Sequence, residues 1–224
     1  MIIKGFNINE INLKYFVGIN QIKINLGKFL DLYDINNEAD ALNQFFSIID
    51  EIQNNNENSV IQFIKDKYIL NQDHIFTACY YLLKAFKQNI NISNKKNIEL
   101  LLYLATNRQI SKSIEAFGID YSQLIHNKLT FCIISPFENI NSICDELLTT
   151  LNAVETELTI NNHSITKFNS IKEFFRINDN QINSVLRSYG YEMKKSESNL
   201  PSLFSALFDL ICERMALLNV EKQK

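Results

Sequence analysis

The stretch SNKKNIELLLYLATNRQISKSIEAFG, from Ser93 to Gly118, decides how this chain is interpreted. Its centre, LLLYLA, is apolar on every side, which is typical of a buried helix rather than a surface helix. A polar corner from Thr106 to Gln109 then interrupts the apolar run. We therefore predict a buried helix capped by Ser93, a tight corner that carries one cation, and a short helix that Gly118 ends in the left-handed conformation.

The whole chain has the composition of one well-packed domain. It has 224 residues, of which 46% are hydrophobic, so it can bury a sizeable core. Its formal net charge of −3 gives no global field that would attract nucleic acid, although a local basic patch is compatible with it. An acidic segment at about residues 29–58 contains no lysine or arginine. It is either a solvated face or a surface that repels phosphate, and any RNA surface should lie elsewhere.

Four cysteines lie in apolar periodic segments and form no CxxC pair, so we expect buried free thiols and a reducing, cytoplasmic location. They are Cys79, Cys132, Cys144 and Cys212. The chain starts without the pattern of a signal peptide, and none of its apolar runs reaches the length of a membrane span.

No catalytic or metal-binding constellation is recognisable. The chain has no GxxxxGK[ST] or GxGxxG loop that would cradle phosphate. Its three histidines, His74, His126 and His163, are far apart and lack the spacing of metal ligands. We therefore expect no catalytic residue, no metal and no cofactor, and look for a function in binding.

The secondary-structure pattern favours the α+β class. Period-two alternation predicts short strands, and the run KLTFCII at Lys128–Ile134 is apolar enough for a strand at the centre of a sheet. Helical periodicity dominates elsewhere, with a polar linker at residues 191–199. We predict a single domain over residues 1–224, built on a small mixed or antiparallel sheet that several helices cover. Three strands are expected near the start of the chain, at Met1–Phe6, Asn12–Val17 and Gln21–Leu26.

Four segments resemble, in the same order, the kinase-partner subunit of the KEOPS complex, a family whose human member is called PRPK-binding protein. The corner itself, with RQI at Arg108–Ile110, is of the archaeal type. The acidic helical segment at about 29–58 looks like an expansion of a shorter family segment. The four segments are VIQFIKDKYILNQDHIFTACYYLLKAF (Val60–Phe86), IELLLYLATNRQISKSIEAFGI (Ile98–Ile119), KLTFCIISP (Lys128–Pro136) and SALFDLICERMALLNV (Ser205–Val220).

The resemblance implies a non-catalytic accessory subunit. KEOPS forms threonylcarbamoyladenosine next to the tRNA anticodon, and another subunit performs the transfer. This family binds the small atypical kinase and helps to capture tRNA by its single-stranded CCA end. The expected partners are therefore that kinase and tRNA, with no membrane and no small-molecule substrate.

The polar corner supplies the candidate tRNA-binding residues. Arg108 comes first because its planar guanidinium suits phosphate or a base edge, and Asn107 and Gln109 carry amides that suit base edges. Lysines around the corner are candidates for an electrostatic funnel. The alternatives are a salt bridge for Arg108 and simple solvation for the lysines. These lysines are Lys84, Lys87, Lys95, Lys96 and Lys112.

The candidate kinase-binding residues are Ile114 and Phe117, on one face of the helix after the corner, with core packing as the alternative for both. Two further functions remain open for the protein. One is a protein-interaction adaptor that does not bind RNA, which the near-neutral charge and the acidic segment favour. The other is an unrecognised small-molecule enzyme, for which the sequence offers no convergent titratable groups.

Overall fold

The computed structural model describes residues 1–126, 128–191 and 199–220. Within these ranges the chain forms five strands and ten α-helices, which confirms the α+β class. All of the predicted linker except its two end residues lies outside the described residues. In chain order the elements are β1 (Ile2–Ile8), β2 (Leu13–Ile24), α1 (Leu26–Leu32), α2 (Glu38–Asn55), β3 (Val60–Ile64), α3 (Gln72–Lys87), α4 (Lys96–Ala105), α5 (Ile110–Phe117), α6 (Tyr121–Ile125), β4 (Leu129–Ser135), α7 (Ile140–Thr150), β5 (Ala153–Thr156), α8 (Ile165–Phe174), α9 (Asp179–Ser188) and α10 (Leu200–Val220).

The chain divides into two units. The sheet unit comprises Met1–Lys65 and Gly118–Thr159, and the helical unit comprises Asp66–Phe117 and Ile160–Lys224. The five strands belong to the sheet unit together with α1, α2, α6 and α7, whereas α3, α4, α5, α8, α9 and α10 belong to the helical unit. A single domain over residues 1–224 stays a prediction.

The sheet unit is built around β4. The strand order is β1-β2-β4-β3, β5 pairs with the end of β2, and the pairings between these strands are antiparallel. All seven residues of β4 are buried, as its continuous apolar sequence predicts for a central strand. The two strands predicted at Asn12–Val17 and Gln21–Leu26 are one strand, β2. Its middle residue Gly18 pairs with Ile133 of β4, and a Cβ there would collide with the side chain of Ile140.

One apolar cluster joins this sheet to α2 and α7. The Phe63 ring of β3 lies 4.9 Å from the Phe45 ring of α2 and 5.0 Å from the Phe131 ring of β4. Ile143 and Leu147 of α7 complete the cluster. The acidic side chains of the segment at 29–58 lie outside this core, because α2 turns its apolar stripe inward.

The helical unit is organised around α4, which is buried as predicted from Glu99 to Ala105. Helix α3 packs antiparallel to it. His74, near the start of α3, is hydrogen-bonded to the Leu104 carbonyl near the end of α4, whereas Lys96 at the start of α4 lies over the Phe86 ring near the end of α3. This arrangement places the two ends of α4 in different surroundings.

Two predictions are wrong, one about the start of α4 and one about the residue that follows α5. Ser93 does not cap α4, which begins after Lys95 without a side-chain cap. Instead the Glu99 carboxylate accepts hydrogen bonds from the backbone N–H groups of Ile92 (2.8 Å) and Ser93 (2.7 Å). Gly118 has no positive φ and pairs with Ile64 in an isolated bridge, so a strand-like contact rather than a left-handed glycine follows α5.

Candidate functional site: the corner after α4

Helix α4 ends in a backbone conformation that is rare for its residue type. Thr106 has φ 46° and ψ 40°, in the left-handed region. The N–H of Thr106 donates to the Tyr103 carbonyl (3.1 Å) and that of Asn107 to the Leu102 carbonyl (3.0 Å). These two bonds form a Schellman motif, which usually has glycine in the left-handed position. A β-branched residue there is strained, so the surrounding packing must hold the corner in place.

Side-chain hydrogen bonds fix the rest of the corner. The Asn107 side-chain carbonyl accepts from the N–H of Gln109 at 2.9 Å. The buried Ser113 hydroxyl donates to the Gln109 carbonyl at 3.1 Å. These contacts orient Arg108, which lies between the two amides and is exposed to solvent. The acceptor of the Asn107 amide is therefore used by the backbone, and its N–H₂ group is the part suited to a ligand.

The corner forms one wall of a concave surface of about 420 Å³. The opposite wall comes from α10, which brings a second arginine, Arg214, and the side chain of Leu217 to the same concavity. Leu217 is 47% exposed, although it is apolar. The first turn of α5, which follows the corner, contains no acidic side chain. A helix N-terminus without an acidic side chain in its first turn suits an anion, and the exposed Leu217 offers an adjoining apolar group. The complete lining is Thr106, Asn107, Arg108, Gln109, Arg214, Leu217 and Leu218.

The structure separates the predicted tRNA-binding residues into two groups. Asn107, Arg108 and Gln109 line the concave surface, and Lys112 lies exposed in the first turn of α5. The remaining lysines, which we call the lysine group, lie at the opposite end of α4, about 15 Å away for a helix of ten residues. The lysine group consists of Lys84, Lys87, Lys95 and Lys96.

Two members of the lysine group pack on aromatic rings. The Lys84 Nζ lies 5.9 Å from the centroid of the Tyr80 ring, and the Lys96 Nζ lies 5.9 Å from that of the Phe86 ring. Burial lowers the pKa of Lys96. These cation–π contacts account for both side chains without a ligand. Lys87 and Lys95 are exposed.

The two predicted kinase-binding residues have different surroundings. Ile114 is 41% exposed, and Ile110, one turn earlier on the same face of α5, is 42% exposed. Phe117 is fully buried, and its ring packs edge-on against those of His74 and Phe174. Its placement favours the core-packing alternative for Phe117 and leaves Ile110 and Ile114 as the accessible pair.

Sequence reasoning missed Arg214 and Leu217. Arg214 lies 106 positions after Arg108, in a helix that is identifiable by its apolar stripe alone. That stripe, from Leu203 to Met215, is buried. No local pattern indicates which polar position of α10 lies beside the corner. The spacing of charged residues around α10 is the sequence feature that could have indicated Arg214.

Two other kinds of feature are absent from the described residues. These residues contain no group of three or more acidic, histidine or cysteine side chains that could hold a metal ion. Among the helices in the same ranges, none combines the length and hydropathy required to cross a bilayer. All four cysteines are free thiols, and Cys79, Cys132 and Cys144 are buried.

One protein-family model matches the chain, and its description is kinase binding protein CGI-121. The match runs from residue 24 to residue 219. It therefore includes the acidic segment, the whole of α4 and the corner, and most of α10, but not β1 or the greater part of β2. No curated protein matches the chain by sequence.

Proposed function

The chain belongs to the kinase binding protein CGI-121 family, and from this premise we propose that it is a non-catalytic KEOPS subunit that binds the small atypical kinase and recruits tRNA. Recruitment uses the single-stranded CCA end of the tRNA, for threonylcarbamoyladenosine formation next to the anticodon. The protein works in the cytoplasm and holds two macromolecules together without breaking a bond itself.

The observation that carries the RNA half of this proposal is the concave surface at the corner. Arg108 is exposed there, Arg214 lies on the same surface, and the adjacent turn of α5 has no acidic side chain. A single-stranded RNA end requires cations for its phosphates and amide or apolar groups for its bases. Asn107, Gln109 and Leu217 supply these groups. The kinase half is supported by the family and by the exposed pair Ile110 and Ile114.

A pair of charge substitutions separates the two binding activities. We expect Arg108→Glu to weaken binding of cognate tRNA by about tenfold to a hundredfold, because it removes one phosphate contact and adds repulsion, with kinase capture unchanged. We expect Ile114→Glu to weaken kinase capture by about tenfold or more, because a charge would enter an apolar contact, with tRNA affinity unchanged. Both proteins are measured by tRNA titration and by pull-down with the kinase.

Matched variants control for non-specific effects. Arg187→Glu reverses an exposed arginine of α9 that does not line the concave surface, and Ile125→Glu charges an isoleucine of α6 that is 49% exposed. All variants are compared by thermal melting. Equal tRNA binding by folded Arg108→Glu and wild type would remove the corner from the RNA site. Equal kinase capture by Ile114→Glu would remove the α5 face from the kinase site.

The second candidate is a kinase-binding adaptor that does not bind RNA. The net charge of −3 and the exposed acidic face of α2 favour it, since both oppose nucleic acid. A salt series decides between the two functions. Affinity for tRNA that falls as salt rises indicates phosphate contacts, whereas no binding at low salt establishes the adaptor.

A further inference from the structure

Arginine is scarce in this protein, and its distribution is uneven. Only four of the 22 basic residues are arginines, namely Arg108, Arg176, Arg187 and Arg214. Two of them line the same concave surface. Arg176 is adjacent to it through its backbone, because its carbonyl oxygen accepts a hydrogen bond from Arg214. Most basic residues of this chain are lysines. An arginine therefore indicates a position where the planar guanidinium is required.

The Arg214 guanidinium is held in one orientation. Its Nη1 donates to the Phe175 carbonyl, and its Nη2 donates to the Arg176 carbonyl at 3.4 Å. Both carbonyls lie at the C-terminal end of α8, where Arg176 adopts the left-handed conformation with φ 50°. A cation suits that end of a helix. The side chain is only partly exposed, and burial lowers its pKa, but an arginine stays charged at neutral pH.

A guanidinium has five N–H donors in a fixed plane, and the two hydrogen bonds to the end of α8 leave part of that plane for a ligand. Because the side chain is already ordered, binding an anion costs little further conformational entropy. Lysine could not combine both tasks, since its ammonium offers no planar fork. The exposed Leu217 lies three residues after Arg214 on the same wall, where it can contact the face of a base.

We infer that Arg214 is a second phosphate-contacting residue of this surface, acting with Arg108 on the backbone of the same single-stranded RNA segment, while Leu217 lies against one of its bases. This inference rests on the proposed function. Beyond the proposed function, it states that two helices distant in sequence form the RNA site. These are α4 with its corner, and α10. The inference also assigns Arg214 two contacts, one with the end of α8 and one with the ligand.

The test measures the salt dependence of RNA binding by the full-length chain. The probes are cognate tRNA and a short single-stranded RNA that ends in CCA. We expect Arg214→Gln to weaken binding of both probes by about fivefold to tenfold and to reduce the slope of log affinity against log salt by about 0.7, the value for one phosphate contact on a single strand. We expect Leu217→Ala to weaken binding by about threefold without changing the slope, because it removes an apolar contact.

Two controls separate binding from folding. Arg187→Gln removes an arginine of the same unit outside the surface, and its affinity and slope should equal those of the wild type. Arg214→Lys keeps the charge and loses the fork, so its slope should stay while its affinity falls about threefold. This variant also serves if Arg214→Gln does not fold, because a purely structural role for Arg214 would leave the affinity of folded Arg214→Lys unchanged.

The outcomes distinguish the inference from the function on which it rests. If Arg108→Glu weakens binding but folded Arg214 variants match Arg187→Gln in affinity and slope, Arg214 only caps α8 and the inference fails. If the wild type itself binds neither probe at low salt, the proposed RNA function fails instead. A reduced slope for Arg214→Gln in a folded protein supports both.

Discussion

The two ends of α4 both carry basic residues, but they use them differently. At the C-terminal end, Arg108 and Arg214 line a concave surface together with side-chain amides and an exposed leucine. At the N-terminal end, Lys84 and Lys96 extend over the rings of Tyr80 and Phe86 on α3. The comparison shows that a cluster of cations in a sequence does not by itself indicate a ligand surface. The surroundings of each cation decide whether it packs inside the protein or is offered to a partner.

The two ends are also held by different chemistry. The N-terminal end is fixed by the carboxylate of Glu99, which accepts two backbone hydrogen bonds from the preceding loop. The C-terminal end is fixed by a neutral imidazole. The Nδ1 of His74 accepts from the Leu70 N–H at 3.2 Å, so its proton lies on Nε2, which donates to the Leu104 carbonyl at 3.2 Å. The corner end of α4 therefore depends on an imidazole that must stay neutral to keep both hydrogen bonds.

The largest predicted effect concerns the buried His74. Desolvation lowers its pKa from 6.5 to about 4. Between these pH values the imidazole is therefore neutral in the folded protein and protonated in the unfolded chain. The stabilisation is complete above pH 6.5 and is lost as the pH falls toward 4. As the pH falls across that window, we expect the protonation of His74 to lower the free energy of unfolding by roughly 3 kcal/mol. Denaturant unfolding at a series of pH values measures it.

Three further measurements isolate the contribution of His74 from that of groups that titrate in the same range. A His74→Asn variant should be less stable near neutral pH and should lose less stability on acidification than the wild type. An NMR titration of the imidazole should give a pKa near 4, and hydrogen exchange of the Leu70 amide should accelerate in the same range. An imidazole that titrates near 6.5 would contradict the buried placement.

A smaller effect should distinguish the left-handed residues that end α3 and α4. Asn89 ends α3 with φ 55°, and Thr106 ends α4 with φ 46°. We expect Thr106→Gly to stabilise the protein by about 1 kcal/mol, because glycine removes the backbone strain of a β-branched residue in the left-handed conformation. Asn89→Gly should be nearly neutral, because asparagine adopts the conformation readily and glycine adds entropy to the unfolded chain. Thermal melting of both variants checks this order, which equal shifts would contradict.

The smallest predicted effect concerns RNA binding by the lysine group. We expect Lys95→Gln and Lys87→Gln each to change tRNA affinity by about twofold or less, because these exposed side chains lie about 15 Å from the corner. Titration beside Arg108→Glu under the same salt conditions measures the contrast. If either lysine substitution equals the effect of Arg108→Glu, the RNA contacts both ends of α4 and the distinction between them disappears for function.

Much of the fold follows from local patterns. The continuous apolar run of β4 predicts its central position, and the all-round apolar sequence of α4 predicts its burial. Errors occur where a long-range contact decides the structure. Gly18 lies inside β2 because β4 pairs with it and Ile140 packs against it, and Gly118 follows α5 as a bridge partner of Ile64. Neither contact leaves a trace in the neighbouring sequence.

The sequence by itself determined that a buried helix ends at a polar corner with an arginine, since periodicity and composition act over a few residues and are written locally. Only the tertiary structure decided that Arg214 of α10 shares a surface with Arg108, that Phe117 is buried, and that four of the predicted lysines lie at the other end of α4. These facts depend on which distant segments pack together. That choice is made by the shape of the whole core, and a helix presents the same local sequence whichever neighbour it meets.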